Sequence, residues 1–316
     1  MKTYFAWNHQ GKADMFVGAL FDAGYRKTEM RNAQVLLMDI DTPGRVGLVS
    51  DQIKNGHSKL FCYPHAARPF IGWDGLFTSS QYTSASFVFA EGHIEVIRAY
   101  GYKKPLHAVG WAYSEIRPFQ PAPEPRRVLF APIHPNRNGW LSALDKDINA
   151  RTYQVLLDML NDKKIELTVR HIHSLEMNGM WNDKRVQLMP GETNTNQNAG
   201  IEEADVVVSH QTYAWKCAAL GKPTVMMAEC EAPRNGGDEA TFKRVKSWES
   251  YKHLLMYPLD ILNTPDPYGL LVQACTSDEL VRDWKKRMIG TTMFCAEKFT
   301  NLVKLYCEPR MISHPL

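Results

Sequence analysis

Four polar residues set between two apolar runs are the part of this sequence best suited to chemistry. Val206-Val207-Val208 is a short β-branched run of buried-strand type, followed by Ser209, His210, Gln211 and Thr212. An Ala-rich helix is expected over Tyr213–Leu220, stopped by Gly221 and Pro223, and Thr224–Met227 reads as the next strand. Strand, polar turn, helix, strand is a βαβ unit. Its turn brings hydroxyl, imidazole and amide groups to a helix N-terminus, whose free N–H groups suit a bound phosphate. Other chemistry-bearing residues also follow apolar runs. His65 and Arg68 come after Lys59–Tyr63, and Trp111 and Tyr113 after Leu106–Val109. His134, Asn136 and Arg137 come after Arg127–Ala131, and Arg170, His171 and His173 after Ile165–Val169.

The elements that must position these residues alternate along the chain. Strands are expected at Lys2–Trp7, Val35–Ile40, Lys59–Tyr63, Gly75–Ser79 and Leu106–Val109. Helical spacing falls at Gly11–Phe21, Arg45–Ile53 and Ser84–Tyr100. Alternation at short spacing argues for a parallel α/β sheet. Residues 118–125 hold four prolines in eight and read as a semi-rigid connection. The pattern then restarts: strand Arg127–Ala131, helix Asn149–Asn161, strands Ile165–Val169 and Arg185–Met189, and the βαβ unit. Ser277–Met288 and Thr291–Cys307 read as closing helices. The expected organisation is an α/β domain over 1–118, a linker over 119–126, a second α/β domain over 127–290, and a C-terminal helix and tail over 291–316 that packs back toward the first domain.

Composition narrows the class. The chain has 316 residues, 44% hydrophobic and 22% charged, as in ordinary soluble domains. No apolar run approaches the ~20 residues that span a bilayer, and the N-terminus reads as a strand rather than a signal peptide. Cytoplasmic residence is the expectation. Net charge is +3, and the two halves differ little in charge balance, which argues against nucleic-acid binding by bulk charge. None of the six cysteines forms a Cys-x-x-Cys pair, so buried thiols are expected rather than zinc or disulfides.

Several segments, taken in order, resemble the GT-B class of nucleotide-sugar glycosyltransferases, and within it the branch of CDP-glycerol glycerophosphotransferases and capsule and teichoic-acid enzymes. Phe61-Cys62-Tyr63-Pro64-His65 stands where that branch has a strand ending in Trp-His-Gly. Gly101-Tyr102 through Val109-Gly110-Trp111 resembles its Gly-Tyr and strand segment. Val128-Leu129-Phe130-Ala131-Pro132 resembles its Leu-Tyr-Ala-Pro strand, and Val169-Arg170-His171-Ile172-His173 its Val-Arg-x-His-Pro segment. Ala204-Asp205-Val206 through Leu220-Gly221-Lys222-Pro223 is similar to its Ala-Asp, strand, turn, helix, Leu-x-Lys-Pro unit. The resemblance covers roughly residues 60–228.

The resemblance implies two Rossmann-like domains facing across a cleft, with closing helices. It implies a transferase that moves a sugar from a nucleotide-diphosphate donor, a UDP-sugar for preference, to a hydroxyl acceptor. Such a reaction needs a base for the acceptor proton and charge or N–H groups for the departing diphosphate. His65 and His173 are the catalytic candidates. Arg170, His171, Ser209, His210, Gln211 and Thr212 are the diphosphate candidates. Arg68, Trp111, Tyr113, His134, Asn136, Arg137 and Glu229 are expected to line the cleft. Where related enzymes carry a ribose-binding Glu, the helix has Trp215 and Lys216, which leaves Glu229, Glu231 or Glu239 for ribose. No metal and no tightly bound cofactor are expected. Asp39-Ile40-Asp41 and Asp145-Lys146-Asp147 have Asp-x-Asp spacing, but their settings read as structural. The acceptor is open and includes a hydroxymethylated pyrimidine in DNA, as in phage-type modification. Alternatives are glycerophosphate or polysaccharide transfer, UDP-sugar 2-epimerisation, and nucleotide-sugar binding without catalysis.

Overall fold

The computed structural model describes residues 1–7, 14–38, 47, 50–63, 82–99, 102–133, 143–162, 164–171, 179–190, 200–227 and 257–308. The strands are β1 (Thr3–Trp7), β2 (Arg26–Lys27), β3 (Val35–Met38), β4 (Lys59–Cys62), β5 (Thr83–Val88), β6 (Leu106–Ala108), β7 (Arg127–Phe130), β8 (Glu166–His171), β9 (Gln187–Pro190), β10 (Val206–Ser209) and β11 (Thr224–Met226). The α-helices are α1 (Asp14–Asp22), α2 (Ser50–Lys54), α3 (Glu91–Ala99), α4 (Ala143–Asn161), α5 (Gln211–Ala219), α6 (Pro267–Thr276), α7 (Glu279–Met288) and α8 (Ala296–Cys307). The chain divides into two compact units. One holds the described residues of 1–112 and 287–316, the other those of 113–238 and 252–286.

The first unit is built on a six-stranded parallel sheet in the order β2-β1-β3-β4-β5-β6. Val35, Leu36, Leu37 and Met38 of β3 are all fully buried, as a parallel strand covered on both faces requires. One face packs on α1 and α8. Phe16, Ala19 and Leu20 of α1 and Phe299 and Val303 of α8 have the spacing of one helix face, and they meet Tyr4, Leu37, Phe61 and Phe87. His107 Nε2 and Tyr306 Oη lie 2.9 Å apart and tie α8 to β6.

Ser84–Tyr100, expected to be a single helix, is instead the strand β5 followed by α3. Small residues at 84–86 suit either state. The position between β4 and β6 decides it, with Phe87 stacked on Phe61 at 5.8 Å. The expected strand at Gly75–Ser79 lies outside the described residues.

The second unit is a five-stranded parallel sheet in the order β11-β10-β7-β8-β9. The proline-rich stretch is strapped to this unit by backbone hydrogen bonds. Arg117 N–H donates to Ala219 C=O at 2.8 Å, Gln120 N–H to Gly221 C=O at 2.8 Å, and Ala122 N–H to Cys275 C=O at 2.9 Å. Proline favours an extended backbone with few competing donors, which suits a segment that lies flat on two helix ends. α6 has no counterpart in the sequence expectations. It opens with Pro267 after Asp266, whose Oδ1 accepts from Gly269 N–H at 2.9 Å.

Candidate functional site

The second sheet reverses direction at β7. The chain steps from β7 to β8 and β9 on one side, then returns to lay β10 and β11 on the other. The crevice at the carboxyl ends of β7 and β10 is therefore the topological switch point, where open parallel sheets hold their ligands. Ala131 N–H donates to Val208 C=O at 2.9 Å and carries the pairing one residue past the end of β7.

Ser209 closes β10 and is fully buried. Its hydroxyl donates to Ala131 C=O at 2.9 Å. A hydroxyl has one proton, and this one is engaged across the switch point. The Ser209 side chain is therefore a pin between β10 and β7.

His210 follows in extended geometry (φ −136°, ψ 160°) as the N-cap of α5, and its side chain does not cap the helix. The first-turn N–H groups of α5 thus start at the carboxyl edge of the sheet, with the positive end of the helix dipole. Gln211 and Thr212 are the first two residues of α5. The helix is buried on nearly all sides. Tyr213, Cys217 and Leu220 face Leu129, Ile201, Ala204 and Val207. Trp215 faces the other way, edge-on to Trp284 at 4.8 Å, a core residue rather than a stacking platform.

The C-terminus of α5 is closed by a Schellman arrangement. Lys222 N–H donates to Cys217 C=O at 3.1 Å, and Gly221 N–H to Ala218 C=O at 3.1 Å. Gly221 has φ +79°, and a Cβ there would lie 1.9 Å from Pro118 O. Both the left-handed backbone and the approach of the strap require glycine.

Arg170 and His171 lie within β8, paired with Met189 and Pro190 of β9, rather than in a turn after the strand. The Arg170 guanidinium sits over the Tyr213 ring, 4.7 Å from its centroid. Lys216 lies one helical turn beyond Tyr213 and is 9% exposed. Burial lowers its pKa, and the charge of Arg170 lowers it further, so the two cations stand near each other. The Tyr213 hydroxyl is buried and has no hydrogen-bond partner among the described residues. Burial pushes the Cys217 thiol up to about 12, which removes it as a nucleophile at neutral pH.

Of the expected cleft residues in the first half, Trp111 is fully buried. Its N–H donates to Thr292 C=O at 3.0 Å, and its ring meets Phe89 edge-on at 5.3 Å. It is a core residue, a correction to its expected place on a cleft wall. Tyr113 is half-buried and belongs to the second unit. At the switch point of the first sheet, between β1 and β3, Tyr63 Oη donates to Trp7 C=O at 2.9 Å. His65, Arg68, His134, Asn136, Arg137, His173 and Glu229 lie outside the described residues, as do Asp39 and Asp41. Asp147 pairs with Arg151 at 2.8 Å on the exposed face of α4. Among the described residues no group of three or more His, Cys, Asp or Glu could hold a metal ion, and no helix is long and apolar enough to cross a membrane.

One residue of the site had escaped the sequence reading. Asn149 of α4 is fully buried, and its amide meets both polar groups of Ile133, just beyond β7. Its position on the apolar stripe of α4, beside Ile148 and ahead of Thr152 and Leu156, was the available signal.

No protein-family model matches the chain, and no curated protein matches its sequence. Solved structures do match. The chain is similar to a Listeria monocytogenes protein assigned as a UDP-N-acetylglucosamine 2-epimerase, with 10% identity over 96% of this chain and 95% of that one and a TM-score of 0.54. It is also similar to a variant of the wall teichoic acid polymerase TagF soaked with CDPG, with 9% identity over 96% and 88% of the two chains and a TM-score of 0.52.

The fold is GT-B.

Its two Rossmann-like domains are the two parallel sheets. Identities near one in ten carry the likeness of fold and nothing finer. Within this GT-B chain Ser209, His210 and the start of α5 lie at the switch point between β10 and β7, Arg170 of β8 reaches the Tyr213 ring of α5, and Trp111 is buried.

Proposed function

We propose that this GT-B chain is a transferase that binds a nucleotide-diphosphate donor on its second unit and moves the donor's sugar to a hydroxyl acceptor. The observation that carries the reading is the start of α5 at the switch point, uncapped by His210 and flanked by Arg170. A diphosphate needs a convergence of N–H groups and cations, and a helix start beside a guanidinium supplies both. The buried Tyr213 hydroxyl next to that guanidinium favours a polar occupant as well. A UDP-sugar is the preferred donor, in keeping with the resemblance read from the sequence.

In the proposed reaction the acceptor O–H loses its proton to His65 as its oxygen bonds to the anomeric carbon. The bond from that carbon to the diphosphate oxygen breaks. The leaving nucleoside diphosphate gains negative charge, which Arg170, the first N–H groups of α5, and His171 or His173 neutralise. Cations and a helix N-terminus make a metal unnecessary to this step. Arg68, Tyr113, His134, Asn136, Arg137 and Glu229 complete the proposed donor and acceptor surfaces. The acceptor is a hydroxyl compound, and a hydroxymethylated pyrimidine in DNA belongs to that class. The reaction is proposed to run in the cytoplasm.

A thermal-shift panel of UDP-, CDP-, GDP- and ADP-sugars with CDP-glycerol tests the reading. A true donor at about 100 times its Kd adds about 2.7 kcal/mol of stability. Arg170→Ala is expected to abolish most of that shift, and a panel without any shift would sink the donor assignment. CDP-glycerol alone shifting the melt would turn the reading to glycerophosphate transfer. Product formed from a UDP-sugar without any acceptor would turn it to 2-epimerisation.

A further inference from the structure

The amide of Asn149 uses both its oxygen and its nitrogen on the backbone of Ile133, close to the switch point. Asn149 is fully buried on α4, where an amide without partners is costly. Its Oδ1 accepts from Ile133 N–H at 2.8 Å, and its Nδ2 donates to Ile133 C=O at 2.7 Å. These are the two bonds a neighbouring strand would make. Ile133 lies three residues past β7, beyond the reach of the sheet ladder. Asn149 therefore stands in for a strand and extends the ordered course of β7. Ser209 holds Ala131 C=O from the β10 side, so the Ala131–Ile133 segment is fixed from both flanks by buried side chains.

We infer that Asn149 is a positioning residue for the donor site, acting through the Ile133 peptide. Resting on the donor reading above, the inference adds a residue that touches no substrate. Ile133 immediately precedes the stretch that carries His134, Asn136 and Arg137. The Ala131–Ile133 segment borders the crevice at the carboxyl ends of β7 and β10, so its backbone course shapes one wall of the proposed donor site.

The test compares the parent with Asn149→Asp and Leu156→Ala. Aspartate keeps the shape and the acceptor for Ile133 N–H, but its carboxylate has no N–H for Ile133 C=O. Leu156 is fully buried on the same helix, and its truncation lowers the melting temperature through a cavity instead. Calorimetric affinity for UDP and CDP is measured with amide exchange over the second unit. Asn149→Asp is expected to weaken the bound nucleotide by about tenfold or more and to speed exchange locally around 131–133. Leu156→Ala is expected to leave affinity within about twofold. Equal weakening by both variants, or no weakening by Asn149→Asp, overturns the inference. A parent that binds neither nucleotide removes the donor reading, and exchange then decides alone. A local rise in Asn149→Asp supports positioning, and a rise spread evenly over the unit overturns it. If Asn149→Asp does not fold, Asn149→Ser, whose short side chain leaves both Ile133 groups without a partner, is read in the same way.

Discussion

The two sheets solve the same problem at their switch points with side chains of very different size. In the first unit Tyr63 reaches from the end of β4 across β3 to Trp7 C=O, and its ring packs against Phe16. In the second unit Ser209 makes the equivalent bond to its immediate neighbour, Ala131 C=O. Both bonds satisfy a carbonyl at the carboxyl end of a central strand, and both side chains are buried. The first unit thus spans its switch point with an aromatic side chain, its ring 5.4 Å from that of Phe16. The serine pins the backbone with a single oxygen. The two switch points thus differ in the side chain that spans them, an aromatic ring in the first unit and a hydroxyl next to α5 in the second. The same contrast runs through the glycines. Gly110 in the first unit and Gly221 in the second both have positive φ, and each is pressed by a carbonyl oxygen, that of Met293 and that of Pro118 respectively.

The glycines give the largest expected effects. Gly110→Ala and Gly221→Ala each combine a left-handed alanine with a backbone clash and should cost about 4 kcal/mol. Chemical denaturation measures both. Only Gly221→Ala should also weaken UDP binding, because the strap closes α5; equal weakening by the two would break the contrast between units.

Acid should act on the first unit next. His93 is buried, with Nε2 2.7 Å from Met288 C=O, and burial lowers its pKa from 6.5 to about 4. The unfolded chain takes up this proton below about pH 6.5 while the fold resists it until about pH 4. Stability should therefore fall over that window by about 3 kcal/mol as pH drops, with none of this loss above it. His93→Asn, which can still donate to Met288, should remove that part of the slope in a pH series of melts.

Ser209→Ala should come third. Leaving the buried Ala131 carbonyl without its hydroxyl costs about 2 kcal/mol and should reduce nucleotide affinity. Tyr63→Phe is expected to have the smallest effect, about 1 kcal/mol, with nucleotide affinity unchanged. If Tyr63→Phe weakens UDP binding more than Ser209→Ala does, the assignment of roles to the two switch points is reversed.

The βαβ unit around α5 was legible because its signals are local. Val206–Val208 is a β-branched run of strand length, and Gly221 with Pro223 ends a helix wherever they occur together. α6 is equally local in its signals, with Asp266 and Pro267 at its start. β5 was misread because Ser84-Ala85-Ser86 carries no period, and only its neighbours in the sheet make it a strand.

The site itself was less legible. A serine after a strand has the same sequence signature whether its proton goes to a phosphate or to the next strand's carbonyl. Proline density announced that residues 118–125 are extended, and said nothing of the helix ends they lie on. Asn149 is a polar residue on an apolar stripe, and its partner sixteen positions earlier could only be found in three dimensions.

The place of α8 bears on how the molecule is made. Phe299 and Val303 belong to the same core as Tyr4, Phe16 and Phe61, yet the whole of the second unit is synthesised between them and β6. The N-terminal sheet therefore leaves the ribosome with one apolar face covered by α1 but not yet by α8. The first half to be translated is the last to be finished, and until α8 arrives that face is the part of the nascent chain most exposed to aggregation and most in need of a chaperone.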